Sequence, residues 1–254
     1  MLDHYIRAKR AEKDILLMTH IVLGYPTMDK SLQIVRAMVE AGVDLMELQI
    51  PFSEPIADGP VILAANQRSL EQGATVAECM EQAKQAVSGH TIPFLFMSYY
   101  NILYKYGLDR FAADAGDAGI TGTIVPDVPP EEGEEYLQAM DTRNLSPIFI
   151  YAPTTSDERM RYIARYARGF VYCVARKGVT GEATAFSREL DEYLARCRAA
   201  TDLPLALGFG VKNQADVDFL KGKVDIAVIG SETIRVIDEQ GVGAVGDYIR
   251  GLAA

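Results

Sequence analysis

Eight short apolar stretches, separated by stretches with helical periodicity, constrain the fold of this chain more than any other feature. The predicted strands are 15–23, 43–50, 92–97, 122–125, 147–151, 170–174, 203–207 and 226–229. The first of them is apolar almost throughout, which is typical of a strand covered on both faces. Helical connections between successive strands force those strands to run parallel.

The connecting stretches predict helices of ordinary length. One helix precedes the first strand, one follows Thr27 and ends at Gly42, and the others are 60–71, 75–88, 108–118, 131–141, 157–167, 189–200, 213–220, 232–238 and 242–252. Eight such units in 254 residues predict an α/β fold with one domain over 1–254, a single (β/α)8 TIM barrel with extra short helices. The alternative is an open doubly wound sheet. The count of eight favours closure, and the turn Gly24-Tyr25-Pro26 lacks the glycines of a dinucleotide-binding fingerprint.

Composition excludes several classes of function. A net charge of −10 argues against nucleic-acid binding, because phosphates would meet no broad basic face. Three cysteines and three histidines, all widely spaced, form neither a metal motif nor a disulfide framework, which fits a reducing compartment. Without a signal-like apolar core or an 18-residue apolar run, we expect no membrane segment and a cytoplasmic location.

The second predicted strand and the loop after it carry three carboxylates. Strand alternation places Glu47 and Gln49 on the same face. A carboxylate near the end of a buried strand is costly unless it is paired or has a task. Together with Glu54 and Asp58 on the loop 51–60, Glu47 predicts acid–base chemistry. The alternative is a solvated acidic loop with the strand acid bonded to a neighbouring backbone group.

Glycines at the ends of the last three strands predict a phosphate site. Gly181, Gly208, Gly210 and Gly230 let the backbone approach an anion closely. Ser231 precedes a short helix, whose free N–H groups and positive dipole end favour a phosphate. Loops after the seventh and eighth strands are the usual phosphate position in such barrels. Alternatively, these glycines only make tight strand-to-helix turns.

Other polar residues near strand ends have simpler interpretations. Tyr99 and Tyr100, predicted to lie in a loop, are more often packing groups than catalysts. Asp127 is predicted to cap the helix that follows it. His20 is interpreted as a core or pocket-lining residue, and Cys173 as a small apolar residue of a buried strand.

The segment from Glu47 to Pro60 reads Glu-Leu-x-x-Pro-Phe-Ser-Glu-Pro-x-Ala-Asp-Gly-Pro, which is very similar to the signature of the tryptophan synthase alpha subunit family. Further matches cover nearly the whole chain: the Gly24/Pro26 turn, Asn66, 99–101, 126–129, 178–181, 208–210 and 230–231. The resemblance implies a lyase that cleaves indole-3-glycerol phosphate to indole and glyceraldehyde 3-phosphate in L-tryptophan biosynthesis. It implies no metal and no organic cofactor. It also implies an alpha2beta2 complex with a tryptophan synthase beta subunit, which holds pyridoxal phosphate and consumes the indole.

The resemblance also implies roles for individual residues. Glu47 corresponds to the general acid–base and Asp58 to the second catalytic carboxylate. The implied substrate-binding residues are Tyr172 and Phe209 at the indole, Gly181, Gly210, Gly230 and Ser231 at the phosphate, and Thr180 on the loop that closes over the substrate.

The sequence departs from the family pattern at several positions, and two other functions stay open. Gln49 stands where the family usually has a small residue, and Glu54 replaces the usual aspartate. One alternative is a catalytically weak regulatory subunit that activates a beta subunit. Another is a phosphate-binding barrel aldolase that forms a Schiff base through Lys177, which would need a lysine in a desolvated pocket.

Overall fold

Eight parallel strands close into a barrel in the computed structural model, which describes residues 2–175, 183–208 and 210–253, without the side chains of 183–187 and 253. In chain order the strands are β1 (Leu16–Val22), β2 (Leu45–Gln49), β3 (Phe94–Met97), β4 (Gly122–Ile124), β5 (Ser146–Tyr151), β6 (Val171–Val174), β7 (Leu205–Gly208) and β8 (Ile226–Ile229). Each strand pairs with the next, and β8 pairs with β1. The predicted barrel is therefore confirmed, and an open sheet is wrong.

Helices follow the strands and cover the barrel. They are α1 (Leu2–Arg10), α2 (Met28–Glu40), α3 (Pro60–Glu71), α4 (Val76–Val87), α5 (Tyr100–Tyr106), α6 (Leu108–Asp117), α7 (Glu134–Thr142), α8 (Asp157–Ala164), α9 (Ala183–Ala200), α10 (Gln214–Leu220), α11 (Ser231–Gln240) and α12 (Val245–Ala253). Side chains of Thr27 and Thr75 accept hydrogen bonds from the first turns of α2 and α4, as N-cap residues do. Both helix starts agree with the prediction.

The sequence missed one helix and misplaced the starts of three others, since α7, α9 and α12 begin at 134, 183 and 245 rather than at 131, 189 and 242. The segment 100–106, predicted as part of a loop, forms α5, which ends at Gly107 with φ of 93°. Its aromatic residues have modest helix propensity, so the short helix gives a weak signal. Helix α7 begins at Glu134 rather than Glu131, because a 3-10 turn at Pro130–Glu132 precedes it.

Strand alternation divides the apolar side chains into an inner cluster and an outer layer beneath the helices. The inner cluster contains Leu16, Met18, Leu45, Leu95, Met97, Tyr99, Ile124, Ile148, Phe170, Ala206, Ile226 and Val228. Leu2 and Ile6 of α1 belong to the same cluster. Glu47 and Gln49 follow Leu45 at alternate positions of β2, so both share its inward face.

Gly122 of β4 allows a close approach to β5 and provides a test of the packing. A Cβ atom at Gly122 would lie 2.6 Å from the carbonyl oxygen of Ser146, its partner on β5. We expect Gly122→Ala to lower the free energy of unfolding by about 1–3 kcal/mol, because two paired strands must move apart. Gly243→Ala is the matched control, since nothing lies within 4 Å of its Cβ position. Equal effects of the two substitutions in urea denaturation would contradict this packing.

Candidate active site

The carboxyl ends of the strands surround a cavity of about 110 Å³, in the place where barrels of this type bind ligands. Its lining residues are His20, Glu47, Ala57, Asp58, Ile62, Met97, Ile124, Pro126, Ile150, Tyr172, Val174 and Gly230. Most of these side chains are apolar, and the two carboxyl groups lie among them. Four of the predicted site residues, Glu47, Asp58, Tyr172 and Gly230, therefore line one cavity.

The remaining predicted site residues divide into two groups. Gly210 follows β7 and Ser231 begins α11, so both lie in loops at the same end of the barrel. Thr180, Gly181 and Phe209 lie outside the described residues.

Glu47 is the more deeply buried of the two carboxyl groups. The residue is 3% exposed, and its Oε1 atom has no hydrogen-bond partner among the described residues. Burial, and secondarily the negative charge of Asp58, raises the pKa of Glu47 to about 8. The carboxyl group is consequently protonated at neutral pH, and it can donate a proton to a ligand in the cavity.

Asp58 is half-buried and tied to the barrel by two side chains. Its Oδ2 atom accepts hydrogen bonds from Gln49 Nε2 at 2.7 Å and from the Tyr99 hydroxyl at 3.1 Å. The same hydroxyl accepts the N–H of Ala57 at 3.1 Å, and the rings of Phe52 and Tyr99 stack with centroids 5.2 Å apart. These contacts anchor the loop that carries Asp58 to the ends of β2 and β3. A solvated acidic loop, the alternative interpretation, would make no such contacts.

Tyr99 and Asn66 are supporting residues whose roles the sequence did not reveal. Asn66 of α3 accepts the N–H of Phe52 at 2.9 Å and donates to the carbonyl of Ile62 at 2.8 Å. Tyr99 was predicted only as a packing group. A completely buried tyrosine hydroxyl needs a polar partner, and here that partner is Asp58, which the sequence separates from Tyr99 by 41 positions.

His20 lies where the sequence predicted, whereas Asp127 does not act as expected. His20 lines the cavity, and burial lowers the pKa of its imidazole. The Asp127 carboxylate accepts the N–H of Tyr100 at 2.8 Å, so it caps α5 rather than the helix that follows it. Without α5 in the prediction, this cap across neighbouring strand ends could not be anticipated.

The loops after β7 and β8 have features that the sequence predicted for an anion site. Helix α11 begins at Ser231, and Gly230 before it gives no side-chain cap, so the first amides of the helix are available to a ligand. Gly210 has φ of 78°, with nothing within 4 Å of its Cβ position. Gly208 has another function, since a Cβ there would come within 3.0 Å of the Tyr172 ring. Its missing side chain makes room for a cavity-lining residue.

A wider depression of about 350 Å³ lies near the opposite ends of the strands. Its Asp44 carboxylate binds Lys13 Nζ at 2.6 Å and the N–H of Leu17 at 3.0 Å. These groups already satisfy one another, which leaves no unpaired carboxylate at Asp44 for a ligand. The smaller cavity around Glu47 is therefore the better candidate for chemistry.

Within the described part of the chain, no group of three or more histidine, cysteine, aspartate or glutamate residues could hold a metal ion. None of its helices has the length and apolarity that crossing a membrane requires. Cys79, Cys173 and Cys197 are buried and free, and Cys173 lies in strand β6, where the sequence predicted a small buried residue.

Comparison with known proteins identifies the family. A sequence model described as "Tryptophan synthase alpha chain" matches residues 6–248. This chain belongs to the tryptophan synthase alpha chain family. The tryptophan synthase alpha chain of Desulforapulum autotrophicum is 63% identical over 253 residues, which is 100% of both chains. That of Syntrophotalea carbinolica is 62% identical over 252 residues, 99% of this chain and 100% of the relative.

Solved structures of tryptophan synthase have the same fold. A chain of the Mycobacterium tuberculosis enzyme, in its aminoacrylate-bound form, superposes with a TM-score of 0.91 at 30% identity. The match covers 100% of this chain and 98% of the other. Family membership thus agrees with the barrel and with the resemblance carried by the segment 47–60.

The raised pKa of Glu47 gives a prediction about stability. Between about pH 4.5 and pH 8 the folded protein holds a proton that the unfolded chain has lost. The free energy of unfolding therefore falls as pH rises through this range, by up to about 1.4 kcal/mol per pH unit from this group. We expect Glu47→Gln to remove that part of the slope, measured by urea denaturation at pH 6 and pH 8. Glu71→Gln, at an exposed acid of α3, should leave the slope unchanged, and an unchanged slope in Glu47→Gln would contradict the assignment.

Proposed function

We propose that this alpha chain catalyses the retro-aldol cleavage of indole-3-glycerol phosphate to indole and glyceraldehyde 3-phosphate. The observation that supports this most strongly is the buried Glu47 carboxyl group beside Asp58 in a largely apolar cavity at the mouth of the barrel. Such a cavity suits an aromatic ring with one polar edge. Membership of the tryptophan synthase alpha chain family agrees with the reaction.

In the proposed mechanism Glu47 changes its role during the reaction. The protonated carboxyl group first donates its proton to C3 of the indole ring, and becomes a carboxylate. That carboxylate then accepts the proton of the side-chain hydroxyl as the bond between the ring and the side chain breaks. The hydroxyl carbon becomes the aldehyde, and the bonding electrons restore the aromatic ring.

Asp58 has an electrostatic role in the same mechanism. Protonation at C3 leaves positive charge on the ring, which is shared with the ring N–H. A fixed carboxylate that accepts this N–H would stabilise the charge as it develops. Tyr172, whose ring packs against Gly208 in the cavity wall, would contact the indole.

The substrate phosphate would bind at the loops after β7 and β8. Gly210, Gly230 and Ser231 supply backbone there, next to the free amides at the start of α11. The resemblance adds Gly181 to the phosphate end of the substrate, Phe209 to the indole, and Thr180 to the loop that closes over the substrate. With two intact carboxyl groups in the cavity, a purely regulatory subunit is not favoured. A Schiff base through Lys177 would be revealed by a stable adduct after borohydride is added during turnover.

We further propose that the chain works with a pyridoxal-phosphate beta subunit in a cytoplasmic alpha2beta2 complex. The two most exposed large apolar side chains of the described residues are Ile56 at 81% and Tyr104 at 62%. Ile56 lies on the same loop as Asp58, and Tyr104 lies on α5 after the next strand. Both are therefore placed at the mouth of the barrel, where a partner protein would cover them.

Glu47→Gln should reduce indole formation by about 10²–10⁴-fold, because the amide cannot transfer a proton. Asp58→Asn should also be severely impaired, since it removes the charge that stabilises the ring. The measurement is indole release from indole-3-glycerol phosphate by the purified variants, with Glu71→Gln as the control. A rate within a fewfold of wild type in Glu47→Gln would show that the assigned role is wrong.

Coupling to the beta subunit predicts a second rate difference. A partner bound at Ile56 would hold the exposed part of the loop that carries Asp58 closed over the substrate, so cleavage should be faster in the complex than in the isolated chain. We expect Ile56→Ser to weaken this activation while the rate of the isolated chain stays the same. Equal indole-forming rates with and without the chain's own beta subunit would refute coupling and leave a stand-alone lyase.

A further inference from the structure

Gln49 is a polar side chain in a position that would ordinarily be apolar. It is the last residue of β2, faces into the barrel and is 0% exposed. A buried amide is costly unless its oxygen and nitrogen have partners. Gln49 Oε1 lies 2.7 Å from His20 Nε2, and Gln49 Nε2 lies 2.7 Å from Asp58 Oδ2 and 3.5 Å from Asn66 Oδ1.

We propose that Gln49, itself oriented by His20, is a positioning residue that holds the Asp58 carboxylate in place for the cleavage step. The inference rests on the proposed function, because it concerns the contribution of Asp58 to that reaction. It assigns a task to two residues, one on β1 and one on β2, that the family signature does not account for.

The chemistry of the partners fixes the direction of the hydrogen bonds. A carboxylate only accepts, so the 2.7 Å contact to Asp58 requires Gln49 Nε2 as the donor. Gln49 Oε1 then faces His20 and must accept the Nε2 proton of the imidazole. Because Nδ1 is buried without a hydrogen-bond partner among the described residues, His20 is then neutral, with its proton on Nε2 and a bare Nδ1.

The surroundings of His20 Nδ1 exclude the opposite direction for these hydrogen bonds. Reversing the amide would need a protonated Asp58 and would place the imidazole proton on Nδ1. That atom is buried and has no hydrogen-bond partner among the described residues, and a buried N–H without an acceptor is strongly destabilising. A bare nitrogen costs less, so the chain of bonds runs from His20 through Gln49 to Asp58.

This series of hydrogen bonds determines which oxygen of Asp58 contacts the substrate. Gln49 and the Tyr99 hydroxyl both donate to Oδ2. These two bonds come from the ends of β2 and β3, so they fix the carboxylate relative to the rigid barrel instead of leaving it to the loop. Oδ1 is then the oxygen left to accept an N–H from a ring in the cavity.

Loss of Gln49 should therefore affect the transition state more than substrate binding. The positive charge that Asp58 stabilises appears only after the ring is protonated, so a misplaced carboxylate lowers kcat more than it raises KM. A misplacement of about 1 Å can cost about 10²-fold in rate. We expect kcat of Gln49→Ala to fall by about 10-fold to 100-fold, with KM changed less than threefold.

A double-mutant cycle tests whether His20 acts through Gln49. Indole formation is measured for Gln49→Ala, His20→Phe and the double variant, in the full chain with and without its beta subunit. His20→Phe alone should lower kcat, and in the Gln49→Ala background it should have no further effect. Multiplied losses in the double variant would show that His20 acts on the substrate directly, which would overturn the proposal.

Two further variants separate positioning from simple structural support. His20→Gln keeps an N–H donor and should restore part of the rate lost in His20→Phe, whereas Gln85→Ala, at an exposed glutamine of α4, should behave as wild type. Urea midpoints of all variants are compared with their kcat values. A loss of kcat that only follows the loss of stability, without rescue in His20→Gln, would contradict the proposal.

The direction of the hydrogen bonds from His20 through Gln49 to Asp58 can be tested without an activity measurement. Nitrogen-15 NMR of histidine-labelled protein, with His20 assigned from the spectrum of His20→Gln, should show a protonated Nε2 and a bare Nδ1. A protonated Nδ1 in an active enzyme would refute the proposed role of His20 and Gln49 but not the proposed function. A wild-type chain that forms no indole would instead refute the proposed function, and with it the catalytic consequence drawn here.

Discussion

The site depends on the burial of one carboxyl group, that of Glu47, in the inward-facing row of β2. Only 3% of Glu47 is exposed, and the charge of Asp58 lies nearby, so its proton is held at neutral pH. Folding into the barrel provides the free energy that this burial costs. An acid that would be ionised in solution thereby becomes a proton donor in an apolar cavity.

The barrel determines where this group can act. Apolar side chains and α1 fill its interior below Glu47, which leaves the carboxyl ends of the strands as the place for a ligand. Asp58 reaches this place from a loop, but Gln49 and Tyr99 connect it to two strands. Together with the contact of Gln49 to His20 of β1, these bonds join groups from β1, β2, the loop after β2 and the end of β3 into one arrangement.

The sequence predicted the barrel because eight apolar stretches and their helices recur with little interruption. Helix α3 and the N-caps Thr27 and Thr75 also follow from local signals. The inward direction of Glu47 follows from strand alternation. By contrast, the bonds of Asp58 to Gln49 and Tyr99 depend on how neighbouring strand ends meet, and residue spacing alone does not encode this.

The same limit explains the errors. Helix α5 is short and rich in tyrosine, so its periodicity is weak, and the cap that Asp127 gives it could not be seen without it. Gln49 was recognised only as a departure from the family pattern. Its partner His20 lies on the adjacent strand, and only the register that pairs β1 with β2 brings the two side chains together.

A direct titration of Glu47 is the measurement that tests this account most sharply. Carbon-13 NMR of selectively labelled protein, with Glu47 assigned from the Glu47→Gln spectrum, follows its carboxyl carbon between pH 4 and pH 10. The account predicts a midpoint near 8, and a lower midpoint in Asp58→Asn, where the neighbouring negative charge is absent. A midpoint close to the ordinary glutamate value of about 4.3 in the wild-type protein would contradict it.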